Sequence, residues 1–75
     1  MVRFTLRDRI GRDALRLDMD GREAVGEISA VATEYWGRSG FFLINGYTLL
    51  RDDGRIGECI SEGDTVDLVP DVNNI

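Results

Sequence analysis

No histidine and no lysine occur in this chain, and cysteine, proline and tryptophan occur once each. One cysteine excludes an internal disulfide, so apolar packing alone must hold the fold. Without histidine, Cys59 has no neighbouring base of the usual kind to activate it as a nucleophile, and it reads as a small packing residue beside Ile60. All nine basic residues are arginine, a composition that genomic base bias accounts for. Whatever its origin, the consequence is chemical: no side-chain amine exists to accept an isopeptide bond. No apolar run approaches the roughly 20 residues of a membrane span. The N-terminus has a strand pattern and not that of a signal peptide, so no membrane insertion is expected and the cytoplasm is the expected location. Neither G-x-G-x-x-G nor a P-loop is present, and no cofactor is expected. Asp52-Asp53-Gly54 is turn chemistry, since one short loop offers too few convergent ligands for a metal site. No catalytic residue emerges, and the chain is not read as an enzyme.

What is present describes an ordinary globular domain, with 43% hydrophobic and 31% charged residues in a chain of 75. That length makes one domain over residues 1–75, near the lower limit for a core without staples, and a monomer is expected. The net charge of −5 argues against nucleic acid as a partner, because such binding needs a basic face.

Hydrophobic periodicity then orders the elements. Val2, Phe4 and Leu6 alternate with polar residues, as do Leu15, Leu17 and Met19, and the polar stretch Asp8–Asp13 between them reads as a hairpin turn. Ile10 is the lone large apolar residue of that turn. After Asp20-Gly21 the period changes to helical, with Val25, Ile28, Ala32 and Tyr35 forming one stripe. Asp20 and Glu23 have capping-box spacing, although a start nearer Val25 fits equally, and Gly37 is placed to end the helix. Phe41–Ile44 and Tyr47–Leu50 flank Asn45-Gly46, the local signature of a second hairpin. A short irregular segment with an isolated Ile56 follows. Thr65–Val69 is a last alternating strand with Val66 and Leu68 inward. The predicted class is α+β in ββαββ order: a four- to five-stranded mixed sheet, its first and last strands paired in parallel, with one helix across it.

The second half carries a resemblance. A strand ending in hydrophobic-x-Gly, then Asp53-Gly54-Arg55-Ile56, then Gly63-Asp64-Thr65-Val66-Asp67-Leu68-Val69, resembles the ubiquitin-like β-grasp proteins in pattern and register. The resemblance implies a recognition patch on the sheet. Ile44 falls where that family carries its strand isoleucine, Val69 at the patch valine of the last strand, and Ile10 in the first hairpin loop where the patch leucine lies. Strand parity agrees, since inward Leu43 and Leu68 leave Ile44 and Val69 outward. The expected function is therefore non-covalent binding of a protein partner through Ile10, Ile44 and Val69. The rival is a covalent modifier or sulfur carrier, adenylated at its C-terminus by an activating enzyme. Those relatives end in Gly-Gly, whereas no glycine follows Gly63 here and the tail reads Asn73-Asn74-Ile75. Small bacterial ubiquitin-like proteins of type VII secretion also lack the diglycine, and share a short "G-E-C … G-D" ending with Gly57–Cys59 and Gly63-Asp64.

Overall fold

The computed structural model describes residues 1–71, and the tail signal at Asn73, Asn74 and Ile75 lies outside them. In chain order the elements are β1 (Val2–Asp8), β2 (Asp13–Met19), α1 (Gly26–Trp36), β3 (Phe41–Asn45), β4 (Thr48–Leu49), the single turn α2 (Ile56–Cys59) and β5 (Thr65–Pro70). The strands form one sheet in the order β2-β1-β5-β3-β4. β1 and β5 pair in parallel at its centre, with Leu6 opposite Val66 and Asp8 opposite Leu68; the other pairs are antiparallel. This is the expected mixed sheet, with α2 added in the segment read as irregular.

Alternation sets the inner face. Phe4, Leu6, Leu43, Val66 and Leu68 are buried against Val25, Ile28 and Ala32 of the helical stretch, and Ile56 and Ile60 close the open end of the core. Leu15, Leu17 and Met19 are only half-buried, because β2 is an edge strand. Tyr35 departs from the expected stripe and is 56% exposed. From Ile28 and Ala32 the next residue on the same face is four further on, so half-buried Trp36 takes the place assigned to Tyr35. The two rings meet edge to face, and the Trp36 indole N–H donates to Asp13 at 3.2 Å.

The helix begins at Gly26 and not with a capping box at Asp20. Asp20 accepts the Arg22 backbone N–H and faces the Arg22 guanidinium, which together hold its carboxyl at about 2, below the usual 3.8. The first free N–H groups of α1 go to another segment: Val25 donates to Gly54 at 2.8 Å and Gly26 to Asp52 at 3.0 Å. Residues 51–57 thus act as the cap that no side chain supplies. Farther along, Gly57 N–H donates to Gly21 at 2.8 Å, and a Cβ on Gly57 would stand 3.1 Å from the Gly21 carbonyl oxygen. Two chain segments cross there backbone to backbone.

The second hairpin turns one residue later than the sequence pattern suggests. Asn45 pairs with Thr48, so Gly46 and Tyr47 are the central residues, and Gly46 has φ +66° as a type II′ turn requires at that position. Asn45 is freed for another task. Its side-chain amide donates to the Cys59 carbonyl and to the Asp64 carboxylate, each at 3.0 Å. The Ser61 N–H and this amide hold the Asp64 carboxyl below its usual value.

Candidate partner-binding face

Residues directly opposite one another in a sheet share a face. Leu43 opposite Leu68 points inward, which places Phe42 with Val69, and Ile44 with Asp67, on the outer side. Ile44 is also opposite Leu49 of β4, so the outer face of β3, β4 and β5 carries Phe42, Ile44, Leu49 and Val69 together. Ile44 and Val69 are half-buried, whereas Phe42 is 43% exposed and Leu49 54% exposed. At the turn beyond them Tyr47 is wholly exposed.

Two of the three expected residues, Ile44 and Val69, thus stand on one face in diagonal register. Ile10 is 67% exposed in the β1–β2 loop, which leaves the sheet beside β5: the Arg9 N–H donates to the Leu68 carbonyl at 3.4 Å. Phe42 and Leu49 are additions. The parity that places Ile44 outward also places Phe42 outward, so that signal was in the sequence. Leu49 is outward even though the turn moved. A one-residue displacement of the turn shifts β4 by two positions against β3, and the side-chain period of two keeps every face unchanged.

The loop bearing Ile10 is anchored by a residue that no motif indicated. Asp8 follows Phe4 and Leu6 on the inner face and is only 3% exposed. Its carboxylate accepts the Ile10 backbone N–H at 3.1 Å and pairs with the Arg38 guanidinium from the loop after α1. Its carbonyl accepts the Arg12 N–H at 2.9 Å, and Arg12 takes the left-handed φ of 58°. Gly11 leaves room for this arrangement, since a Cβ there would lie 2.7 Å from the Asp8 carboxylate. A buried charge, two hydrogen bonds and a glycine therefore fix the loop to the C-terminal end of α1.

On the outer face Arg7 bonds Asp67 at 2.7 Å, which raises the Arg7 pKa above its usual value. A cleft of about 440 Å³ lies between Ser29 of α1, β3 and the segment Leu49–Asp53. Cys59 is half-buried against the core, with its sulfur near Gly54. Among the described residues no three histidine, cysteine, aspartate or glutamate side chains gather as a metal cluster would. No helix among them is long and apolar enough to cross a membrane.

No protein-family model matches the chain, and no curated protein matches its sequence. Solved structures do. The chain superposes on ATBAG1, from its crystal structure in complex with HSP70, with a TM-score of 0.81 at 13% identity. That match covers 96% of this chain but only 41% of ATBAG1, so the chain spans about two-fifths of that protein's length. The ubiquitin of Caldiarchaeum subterraneum gives a TM-score of 0.82 at 15% identity, over 92% of this chain and 91% of that one. The N-terminal ubiquitin-like domain of the 4931431F19Rik protein gives 0.76 at 20% identity, over 91% and 72%. With the strand order, the parallel central pair and the helix across the sheet already established, these likenesses agree on one conclusion: the chain has the ubiquitin-like β-grasp fold.

Proposed function

We propose that this domain is a non-catalytic protein-interaction module that binds its partner through the outer face of β3, β4 and β5. The observation carrying this reading is the grouping of Phe42, Ile44, Leu49 and Val69 on one outward side. Apolar groups left in water on adjacent strands are released from it when a partner covers them, at about 25 cal/mol per Å². Ile10 stands at the loop edge as a further contact, held there by Asp8. One structural neighbour is a larger chain crystallised with HSP70, which supports a role for this fold within chains that bind proteins.

Ile44 is paired on both sides, with Leu49 and Asp67, and sits at the middle of the face. Binding energy concentrates at the desolvated centre of an interface, so a charge there is the sharpest perturbation. Parallel affinity capture with the wild-type domain, Ile44→Asp and the remote control Arg22→Ala, compared by quantitative mass spectrometry, tests the reading. A partner retained by wild type and Arg22→Ala but lost by a folded Ile44→Asp is the expected result. Equal retention by all three overturns it. Incubation with ATP and activating enzymes, read by intact mass, separates the carrier alternative: an adenylate or thiocarboxylate on the C-terminus would replace the non-covalent reading.

A further inference from the structure

The sheet has a gap along one edge. β4 stops at Leu49, and one further bond, from the Leu50 N–H to the Leu43 carbonyl at 2.9 Å, holds the chain to β3. Beyond Leu50 the chain leaves the sheet for the start of α1, where the Asp52 carbonyl accepts the Gly26 N–H at 3.0 Å. β3 runs back to Phe41, so its first residues have β5 on one side and, among the described residues, no strand on the other.

Backbone direction settles what faces this gap. Successive residues of a strand turn their N–H and C=O groups to opposite edges. Leu43 turns its carbonyl to Leu50, whereas Gly40 turns its carbonyl to the Asp71 N–H on the β5 side, at 2.9 Å. Phe41 has the parity of Leu43 and points both groups into the gap. Its neighbour across β5 is Pro70, which has no N–H to offer. Neither Phe41 group has a backbone partner among the described residues.

The gap opens on the cleft of about 440 Å³ beside α1. The helix covers the inner face of the sheet, so Ser29, buried Leu50 and Asp52, the last tied to Gly26, line the inner side of that cleft. Phe41 packs against the core, and a residue placed opposite it in an added strand would turn its side chain inward as well. Asp53 is paired with Arg51 at 3.5 Å, whereas the Asp52 carboxylate is in no ion pair among the described residues.

We propose that this edge takes a short extended segment of a partner protein as an added antiparallel strand, with an arginine or lysine opposite Phe41. One residue of such a strand satisfies both Phe41 groups, accepting from its N–H and donating to its C=O. A long basic side chain suits the cleft: its apolar stem lies along Phe41 and Leu50 while its charged head reaches Asp52. The net charge of −5 favours the approach of a cationic segment. A second copy of this chain fits poorly, because its own β4 covers the same edge of its β3 and the two copies would share only Phe41. This site lies on the edge of the sheet and stands independently of the outer face described under Proposed function.

The test titrates acetyl-Thr-Val-Arg-Val-Thr-amide into the isotope-labelled domain and follows the amide shifts. Two altered peptides accompany it: one with citrulline for arginine, which keeps the stem without the charge, and one with the arginine backbone nitrogen methylated. The expected result is shifts centred on Phe41, Ser29 and residues 50–52, with slowed solvent exchange of the Phe41 amide proton. The citrulline peptide should bind about three- to tenfold more weakly, and the methylated one about tenfold more weakly. In Asp52→Asn the arginine and citrulline peptides should bind alike. Equal binding of the methylated peptide overturns the added strand, and equal binding of the arginine and citrulline peptides by wild type overturns the basic residue. Shifts along β2 instead, at the other edge of the sheet, overturn the site. Shifts at Phe41 on concentrating the domain without peptide make the occupant a second copy and overturn the partner segment. No shift at Phe41 with any peptide at millimolar concentration overturns the proposal. The outer face reports separately, at Ile44 and Val69, so its failure is distinguishable from failure here.

Discussion

Replacing Arg38 with alanine should destabilise this domain far more than loss of a surface arginine does. The Asp8 side chain is 4% exposed and that of Arg38 42%, so the two ends of the pair stand in different surroundings. Removal of Arg38 leaves a buried carboxylate whose one remaining hydrogen bond, among the described residues, comes from the Ile10 N–H. Breaking a buried pair in this way costs about 3–5 kcal/mol, and water reaching the vacated guanidinium site lowers that to about 2–4. Asp8→Ala removes the charge itself. It leaves the Ile10 N–H without its acceptor, at about 1–3 kcal/mol, and an Arg38 that can turn into solvent. Asp8→Asn keeps an acceptor and should fall between wild type and Asp8→Ala. Because the two residues act on one interaction, the double variant Asp8→Asn, Arg38→Ala should cost less than the sum of the single changes. Urea denaturation of the four variants measures all of this. If Arg38→Ala unfolds at the wild-type midpoint, the pair is an ordinary surface contact and the anchoring of the Ile10 loop to α1 is wrong.

Ile28→Ala and Leu68→Ala, each emptying a fully buried site on opposite layers of the core, should cost about 2–5 kcal/mol by thermal or chemical denaturation, a large share of a small domain's stability. Gly57→Ala should destabilise by about 1–3 kcal/mol, because the added Cβ meets Gly21 backbone atoms at 3.1–3.2 Å that cannot rotate away. Gly26→Ala should instead be neutral or stabilising by up to about 1 kcal/mol, since its Cβ finds only ordinary contact with Asp52 at 3.5 Å. The carboxyls of Asp20 and Asp64 lie below their usual value in the fold, the former at about 2. Their contribution is therefore complete above the usual value and lost as the pH falls through the folded one. Melting temperature should accordingly drop over that acid range, and less steeply in Asp64→Asn.

Most of the fold was legible because its signals are local and periodic. Alternation placed Phe4, Leu6, Val66 and Leu68 inward, and a helical stripe gave Val25, Ile28 and Ala32. A hairpin cannot cover its own apolar face, so one helix across a mixed sheet was expected, with β1 and β5 most simply parallel at its centre, as they are. What escaped depends on partners far apart in sequence. Asp8 obeys the inward parity of its strand, yet a carboxylate is the residue least expected there, and nothing in the spacing ties it to Arg38 thirty positions away. Asn45 looked like the first turn residue because Asn-Gly is so strong a hairpin signal. Its amide instead bridges to Cys59 and Asp64, and the turn moved on by one. The Gly21–Gly57 crossing is visible only when two loops are already in place. Of the candidate face, Ile44 and Val69 were found by parity and resemblance, and Phe42 lay in the same parity. The gap beside Phe41 needed the strand order, which leaves only the short β4 to cover the edge of β3.

The central claim is that the outer face of β3, β4 and β5 receives a partner, and it is tested most directly by mapping the face in a complex. With a captured partner purified and titrated into the isotope-labelled domain, amide shifts and cross-saturation would report the buried residues. The account predicts that Phe42, Ile44, Leu49 and Val69 respond most strongly, with Ile10 at the edge. Responses centred instead on the exposed side of α1, at Glu27, Ala30 and Glu34, with the four sheet residues unmoved, would contradict it.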